Sequence, residues 1–305
     1  MDSLSDLGAI ALMQGFNGLS VFSVLLLMAL GLAIIFGQMK VINMAHGEFM
    51  TIGAYTTYAI ASTTASSFPA FTPYYFFFAI LLAFLIAGAF GFLMEWALIR
   101  HLYHRPLDTL LATWGVSLAM QQSFRSIFGA REVSAPLPDW LMGSWQPLPM
   151  VDIPLNGLFV MGLTVLMTGG LAIAMFRSGW GLKVRATTQN RVMAGAVGIN
   201  TRMVDRMTFA LGCGIAGVAG AAFTTIGSTG PTSGSLYIVD SFLTVVFGGA
   251  GSLLGTIASA FTIAQSQAIT EFFLTGSMAK VLTLSAVLVV LMIRPQGLFA
   301  AKVRK

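Results

Sequence analysis

The stretch Val41-Ile-Asn-Met-Ala-His-Gly-Glu-Phe-Met-Thr-Ile-Gly-Ala-Tyr55 sets Asn43, His46 and Glu48 between two long apolar runs. Between Asp6 and Glu48 the only charged residue is Lys40, and from Phe49 to Met94 there is none. Both flanks suit a lipid bilayer, and a polar cluster at the border of two membrane spans suggests a gate or a binding site.

Working outward, the whole chain shares this character. It has 305 residues, 56% hydrophobic and 9% charged, with a mean hydropathy of +0.84. An ordinary soluble domain carries about 25% charged residues, so a water-soluble fold could not cover its surface. Apolar runs of about 20 residues each point to one polytopic membrane domain over 1–305. The net charge of +5 comes from basic residues gathered in a few short loops, which is a pattern of membrane topology and not of nucleic-acid binding. Cys213 is the sole cysteine, so no intrachain disulfide or cysteine zinc site is expected, and it reads as a small buried apolar residue. The segment before the first apolar run carries Asp2 and Asp6 and lacks a basic n-region and a cleavage site, so the first span is expected to be retained.

In order along the chain, spanning helices are expected over 17–37, 41–62, 74–98 and 108–128. A Pro-rich polar break with Trp140 and Trp145 follows over 129–154, and then a span over 155–176. The segment Arg177 to Arg206 holds six basic residues opposed only by Asp205, which places it in the cytoplasm. Spans over 207–227, a shorter run near 242–247, and spans over 253–273 and 278–293 complete the set. The expectation is an all-α polytopic membrane protein of about eight to ten transmembrane helices, some broken or re-entrant. An outside N-terminus then brings every basic loop and the basic tail to the cytoplasm, where the C-terminus also falls. Gly47 and Gly53 recur at equal spacing as Gly249 and Gly255, a pointer to an internal repeat around a translocation path.

Several motifs have a bland reading beside the sharp one. Gly212-Cys-Gly-Ile-Ala-Gly217 matches the dinucleotide fingerprint but lies inside an apolar helix with no strand before it. These glycines, with Gly220, read as small residues that let helices approach closely in lipid. No P-loop, H-E-x-x-H or G-x-S-x-G occurs, so ATP hydrolysis would belong to another chain, and no enzymatic activity, metal or cofactor is expected. Asn43, His46 and Glu48 either line a polar pathway or serve a helix start near Met44, with Asn43 as its cap. Asp240 is either a mouth of the pathway or an interfacial carboxylate. The run Trp180 to Ile199 contains a short amphipathic helix bounded by Gly181 and Gly198, which either docks on a partner or is a solvated basic loop.

Taken together, Asn43-Met-Ala-His-Gly-Glu48 with Gly53-Ala-Tyr55, Arg185-Ala-Thr-Thr-Gln-Asn190 leading to Gly198-Ile199, Gly248-Gly-Ala-Gly-Ser252 and Arg294-Pro-Gln-Gly-Leu298 resemble the permease subunits of the branched-chain amino acid and urea family of ABC importers. Leu110-Leu-Ala-Thr-Trp-Gly-Val-Ser-Leu118 with Gln121-Gln122, Gly230-Pro-Thr and Tyr237-Ile-Val-Asp-Ser-Phe242 look like the urea branch. Amino acid permeases of the group usually read Lys-Ala-Phe where this chain has Asp240-Ser241-Phe242, and the missing cation suits a neutral solute. The resemblance implies a bacterial inner-membrane importer subunit that carries urea or short amides, with branched-chain amino acids as the alternative. It further implies a second homologous permease, two cytoplasmic ATP-binding subunits and a periplasmic substrate-binding protein, with Arg185, Gln189, Asn190 and Gly198 at the ATPase contact. Asn43, His46, Glu48 and Asp240 would line the path or its gate.

Overall fold

A computed structural model describes residues 2–103, 105–148 and 151–299. His104 and Pro149, and the basic tail beyond Phe299, lie outside the described residues. The described chain is built of eleven α-helices: α1 (Asp2–Met39), α2 (His46–Ser67), α3 (Tyr75–Ala97), α4 (Pro106–Phe128), α5 (Leu155–Arg177), α6 (Gly179–Gln189), α7 (Arg191–Ala196), α8 (Thr201–Phe223), α9 (Ser233–Gly248), α10 (Leu253–Phe273) and α11 (Gly276–Ile293). Apart from α6 and α7, these coincide with the nine apolar segments of the sequence. Five of them, α1, α3, α5, α8 and α11, are long and apolar enough by composition to cross a hydrocarbon core. The helices α2, α4 and α10 have similar length but carry more Ser, Thr, Gln and charged side chains, and α9 is shorter at 16 residues.

Helix boundaries depart from expectation in informative ways. The first helix runs from Asp2 and not from residue 17, because nothing before Met39 breaks it; it ends where Lys40 adopts a φ of 53°. The segment Arg177 to Arg206 is mostly helical, since Ser178, Asn190 and Asn200 cap α6, α7 and α8 through their side chains. Helix α8 thus begins at Thr201 and takes Arg202, Asp205 and Arg206 into its first two turns. The polar break contains a two-stranded antiparallel hairpin, β1 (Ser144–Leu148) with β2 (Val151–Pro154), and Val133 makes an isolated antiparallel bridge with Thr229. Ser144 Oγ and Gln146 Nε2 donate to Asp152 Oδ1 at 3.2 and 2.5 Å and hold the two sides of the hairpin together.

Helix α1 is the central post, with Leu27, Met28, Ala29 and Leu30 fully buried, while α8 wedges between α1, α2 and α3. In lipid the helices gain little from burying apolar surface against each other, so close backbone approach and packing must hold them. The glycines of α8 supply that approach. A Cβ on Gly212 would lie 2.6 Å from the Gly31 carbonyl oxygen, one on Gly217 2.5 Å from that of Ala83, and one on Gly220 1.9 Å from that of Met50. The decoy fingerprint is therefore a packing face against α1, α2 and α3. Outward, α3, α5 and α11 expose Phe77, Leu81, Leu85, Val165, Leu166, Ile173 and Leu288, as lipid-facing helices do.

Candidate functional site

After the turn at Lys40 the chain does not leave α1. Residues 40–43 are neither helix nor strand, and they run back beside α1 so that α2 starts against its middle. His46 Nε2 lies 3.3 Å from the Met28 carbonyl oxygen, eleven residues before the end of α1, or about 16 Å along its axis. Met44 N donates to Thr113 Oγ1 at 3.1 Å, seven residues into α4, or about 10 Å from its start. The cluster Asn43 to Glu48 therefore sits well inside the apolar layer. Sequence alone places it near the cytoplasmic end of a span beginning at 41; the return of residues 40–43 into the interior moves it deeper.

At that depth the start of α2 meets the start of α9. A Cβ on Gly47 would lie 2.2 Å from the Gly234 carbonyl oxygen, and one on Gly234 2.0 Å from that of Gly47. Gly234 N donates to Thr51 Oγ1 at 3.0 Å, which consumes one of the free amides at the head of α9. Two helix N-termini, each carrying partial positive charge, thus converge in a region with few counter-charges. The backbones touch, so nothing passes between them in this state.

The polar side chains around this junction fan out to different neighbours. Asn43 does not cap α2: Ala45 occupies that position, and Asn43 Oδ1 accepts from Ala45 N at 3.0 Å in a tight turn ahead of the helix. His46 faces α1; a carbonyl can only accept, so Nε2 carries a proton, and in the neutral ring Nδ1 is then an acceptor. Glu48 faces α4, where its Oε1 accepts from Ser117 Oγ at 3.0 Å and Gln121 Nε2 at 2.8 Å. All three residues are 1% exposed or less, yet Asn43 Nδ2, His46 Nδ1 and Glu48 Oε2 have no partner. Three unsatisfied polar atoms within six residues would be costly in a finished hydrophobic core, at about 1–3 kcal/mol each. They are better suited to contact with water or another polar group. Above them Tyr55 stacks on Phe128 with ring centroids 4.2 Å apart, beside a cavity of about 550 Å³ between α2, α3 and α4.

Asp240 is not brought to this cluster. It lies further along α9, facing α11, where Lys280 Nζ sits 2.7 Å from its Oδ2 and also reaches the Leu236 carbonyl oxygen at 3.2 Å. Lys280 escaped the sequence reading, although a lone lysine in an apolar span was the signal. Ser117, Thr51 and Gly234 were equally unmarked, since their roles depend on partners far away in the chain.

On the face that carries the basic loops, Gln189, Asn190 and Gly198 are exposed, and so are the apolar Val192, Met193 and Val197 of and beside α7. Gly198, with a φ of 86°, ends this helical stretch. Arg185 behaves differently: its guanidinium donates to the Met175 carbonyl oxygen and lies 5.7 Å from the Phe176 ring, tying α6 to the end of α5. Asp205 is fully buried, where Arg191 at the head of α7 donates to it and Gln38 Nε2 of α1 does so at 3.1 Å. A buried carboxylate thereby joins the surface helices to the central post.

Comparison with known proteins agrees with this architecture. The family described as "Branched-chain amino acid transport system / permease component" matches residues 15–293. The chain is 27% identical over 292 residues to the high-affinity branched-chain amino acid transport system permease protein LivH of Salmonella typhimurium, covering 94% of each chain. It is 27% identical over 304 residues to LivH of Escherichia coli, again with 94% of each covered. It is 26% identical over 291 residues to BraD of Pseudomonas aeruginosa, covering 94% of this chain and 95% of that one. No solved structure matches. A polytopic helical core whose re-entrant segment carries buried polar groups, matched to one family over nearly its whole length, belongs to the branched-chain amino acid ABC permease family, whose members are transport subunits and not enzymes.

Proposed function

We propose that this chain forms one half of the membrane pore of an ATP-driven importer in the bacterial inner membrane and moves branched-chain amino acids inward. The meeting of the α2 and α9 N-termini at Gly47 and Gly234, closed and with unpartnered atoms on Asn43, His46 and Glu48 at the head of α2, is the observation that carries the reading. It has the form of a gate in a broken-helix transporter, where helix ends and unwound backbone face the solute. The positive ends of two helices suit a carboxylate, and Glu48 suits an ammonium group. The relatives support the solute class by their names.

Coupling runs through the opposite end. Gln189, Asn190 and Gly198, with the exposed apolar residues beside them, form the surface on which an ATP-binding subunit docks, while Arg185 braces α6 from behind. Two such subunits, a second homologous permease and a periplasmic substrate-binding protein complete the importer, and ATP binding biases the pore between its two states. With the basic loops on the cytoplasmic side, the C-terminus is cytoplasmic as well.

A second reading, urea or a short amide as the solute, is favoured by one observation: the lysine within α11 is neutralised by Asp240, which leaves it committed and unavailable to a carboxylate. Proteoliposomes holding the assembled importer decide between the two. ATP-dependent, saturable uptake of labelled leucine that urea does not compete supports amino acid import. Urea uptake without leucine uptake moves the assignment to the second reading, and uptake by this chain alone without ATP overturns both.

A further inference from the structure

A second cavity, this one polar, lies on the face of the basic loops. It has a volume of about 640 Å³ and is lined by Arg100, His101, Arg191, Arg202, Arg206 and Glu95, with Tyr103 at its wall. Its back is a finished network. Glu95, 1% exposed, accepts from Arg206 Nε at 3.0 Å and from Tyr103 Oη at 2.7 Å, while Asp205 behind it accepts from Arg191 and Gln38. Four guanidinium groups thus meet two carboxylates and leave two positive charges over. Arg100 and Arg202 are exposed and have no carboxylate partner among the described residues.

The cavity also has an apolar approach. Phe90, Leu93 and Trp96 are exposed at 54%, 54% and 47% and follow one another at helical spacing along α3, in line with Arg100. The Arg100 guanidinium lies 5.2 Å from the Trp96 ring, and that of Arg206 lies 5.1 Å from the Phe92 ring. These residues face lipid as the rest of the outer side of α3 does, so an acyl chain laid along them brings its phosphate to these arginines. We propose that this cavity binds the phosphate headgroup of an anionic glycerophospholipid from the leaflet on the basic side. Basic pockets between transmembrane helices on that side of a membrane suit such headgroups. Because the same cavity holds Arg191, the first residue of α7, a bound lipid also sets how firmly that helix is seated.

The test measures lipid retained by the full chain in native mass spectrometry, with phosphatidylglycerol competing against phosphatidylcholine. The wild-type chain is expected to prefer phosphatidylglycerol. Arg100→Gln with Arg202→Gln, which break no ion pair, should lower that preference about tenfold to thirtyfold, as about 1 kcal/mol per arginine gives. Arg105→Gln, on the same face but outside the cavity, should leave it within about twofold. Equal loss in both variants means a diffuse surface effect and overturns the site, as does an unchanged preference in the double variant. Inorganic phosphate at millimolar concentration should fail to displace the lipid; displacement shows a free-anion site and overturns the lipid assignment. The assembled importer should keep the lipid, and its loss on binding the ATP-binding subunits shows that the cavity is part of a protein interface and overturns the proposal.

Discussion

Gly47 of α2 and Gly234 of α9 stand carbonyl against Cα, each leaving less than 2.3 Å for a side-chain carbon on the other. No rotamer adjustment relieves a clash with backbone. Gly47→Ala must therefore push the two helices apart, and it is expected to lower ATP-dependent uptake at least tenfold. Gly162→Ala, where a Cβ meets nothing within 4 Å, should leave uptake unchanged. Equal uptake by both variants would show that the junction is not part of the moving path.

Glu48 separates a structural from a functional contribution. Glu48→Gln keeps an oxygen for Ser117 and Gln121, so the unfolding midpoint in detergent should hardly move, while leucine uptake falls if the carboxylate meets the solute. Glu48→Ala removes the acceptor of two buried donors and should cost about 1–3 kcal/mol of stability. A Glu48→Gln variant with full uptake would return this residue to a purely structural role.

Lys280→Ala leaves the Asp240 carboxylate, on a residue 7% exposed, without its cation. Removing one partner of a buried pair costs about 3–5 kcal/mol; the Lys280 side chain, 35% exposed, brings this pair down to about 2–3 kcal/mol. Replacing both residues by leucine should restore most of the loss. Thermal unfolding of the single and double variants reads this directly, and a double variant as unstable as Lys280→Ala would refute the pairing as the cause.

Val192 is 80% exposed on α7, so Val192→Glu should change stability by no more than about 0.5 kcal/mol. It should nevertheless reduce co-purification of the ATP-binding subunits about tenfold. Arg185→Glu should act differently, by freeing α6 from the Met175 carbonyl and lowering the unfolding midpoint as well as the association. Undiminished association in Val192→Glu would move the docking surface elsewhere.

The helices were legible because apolar length reports a bilayer span directly, and each of the nine segments carries at most two charged residues. Contacts between distant parts were not. Asn43, His46 and Glu48 stand out as polar residues in apolar sequence, but their depth depends on residues 40–43 turning back into the interior, which no periodicity announces. Asp205 was visible as the lone acid in a basic segment, and its task of holding Arg191 to Gln38 needed the fold. Asp240 was visible too, while Lys280, nearly a full helix pair later, carried no sign of being its partner. The equal spacing that links Gly47 and Gly53 to Gly249 and Gly255 does not describe contacts: Gly47 meets Gly234, Gly53 meets Gly217, and Gly248 meets Gly255.

The extended return of residues 40–43 also has a consequence for how the protein is made. Helix α2 begins inside the apolar layer with Asn43, His46 and Glu48 at its head, and lipid offers those groups no partners. Thr113, Ser117 and Gln121 arrive with α4, but Gly234 and the seal it forms are translated only after α8. The contact that closes α2 against α9 therefore joins the N-terminal half of the chain to its C-terminal half, and it can form only once α9 has been made.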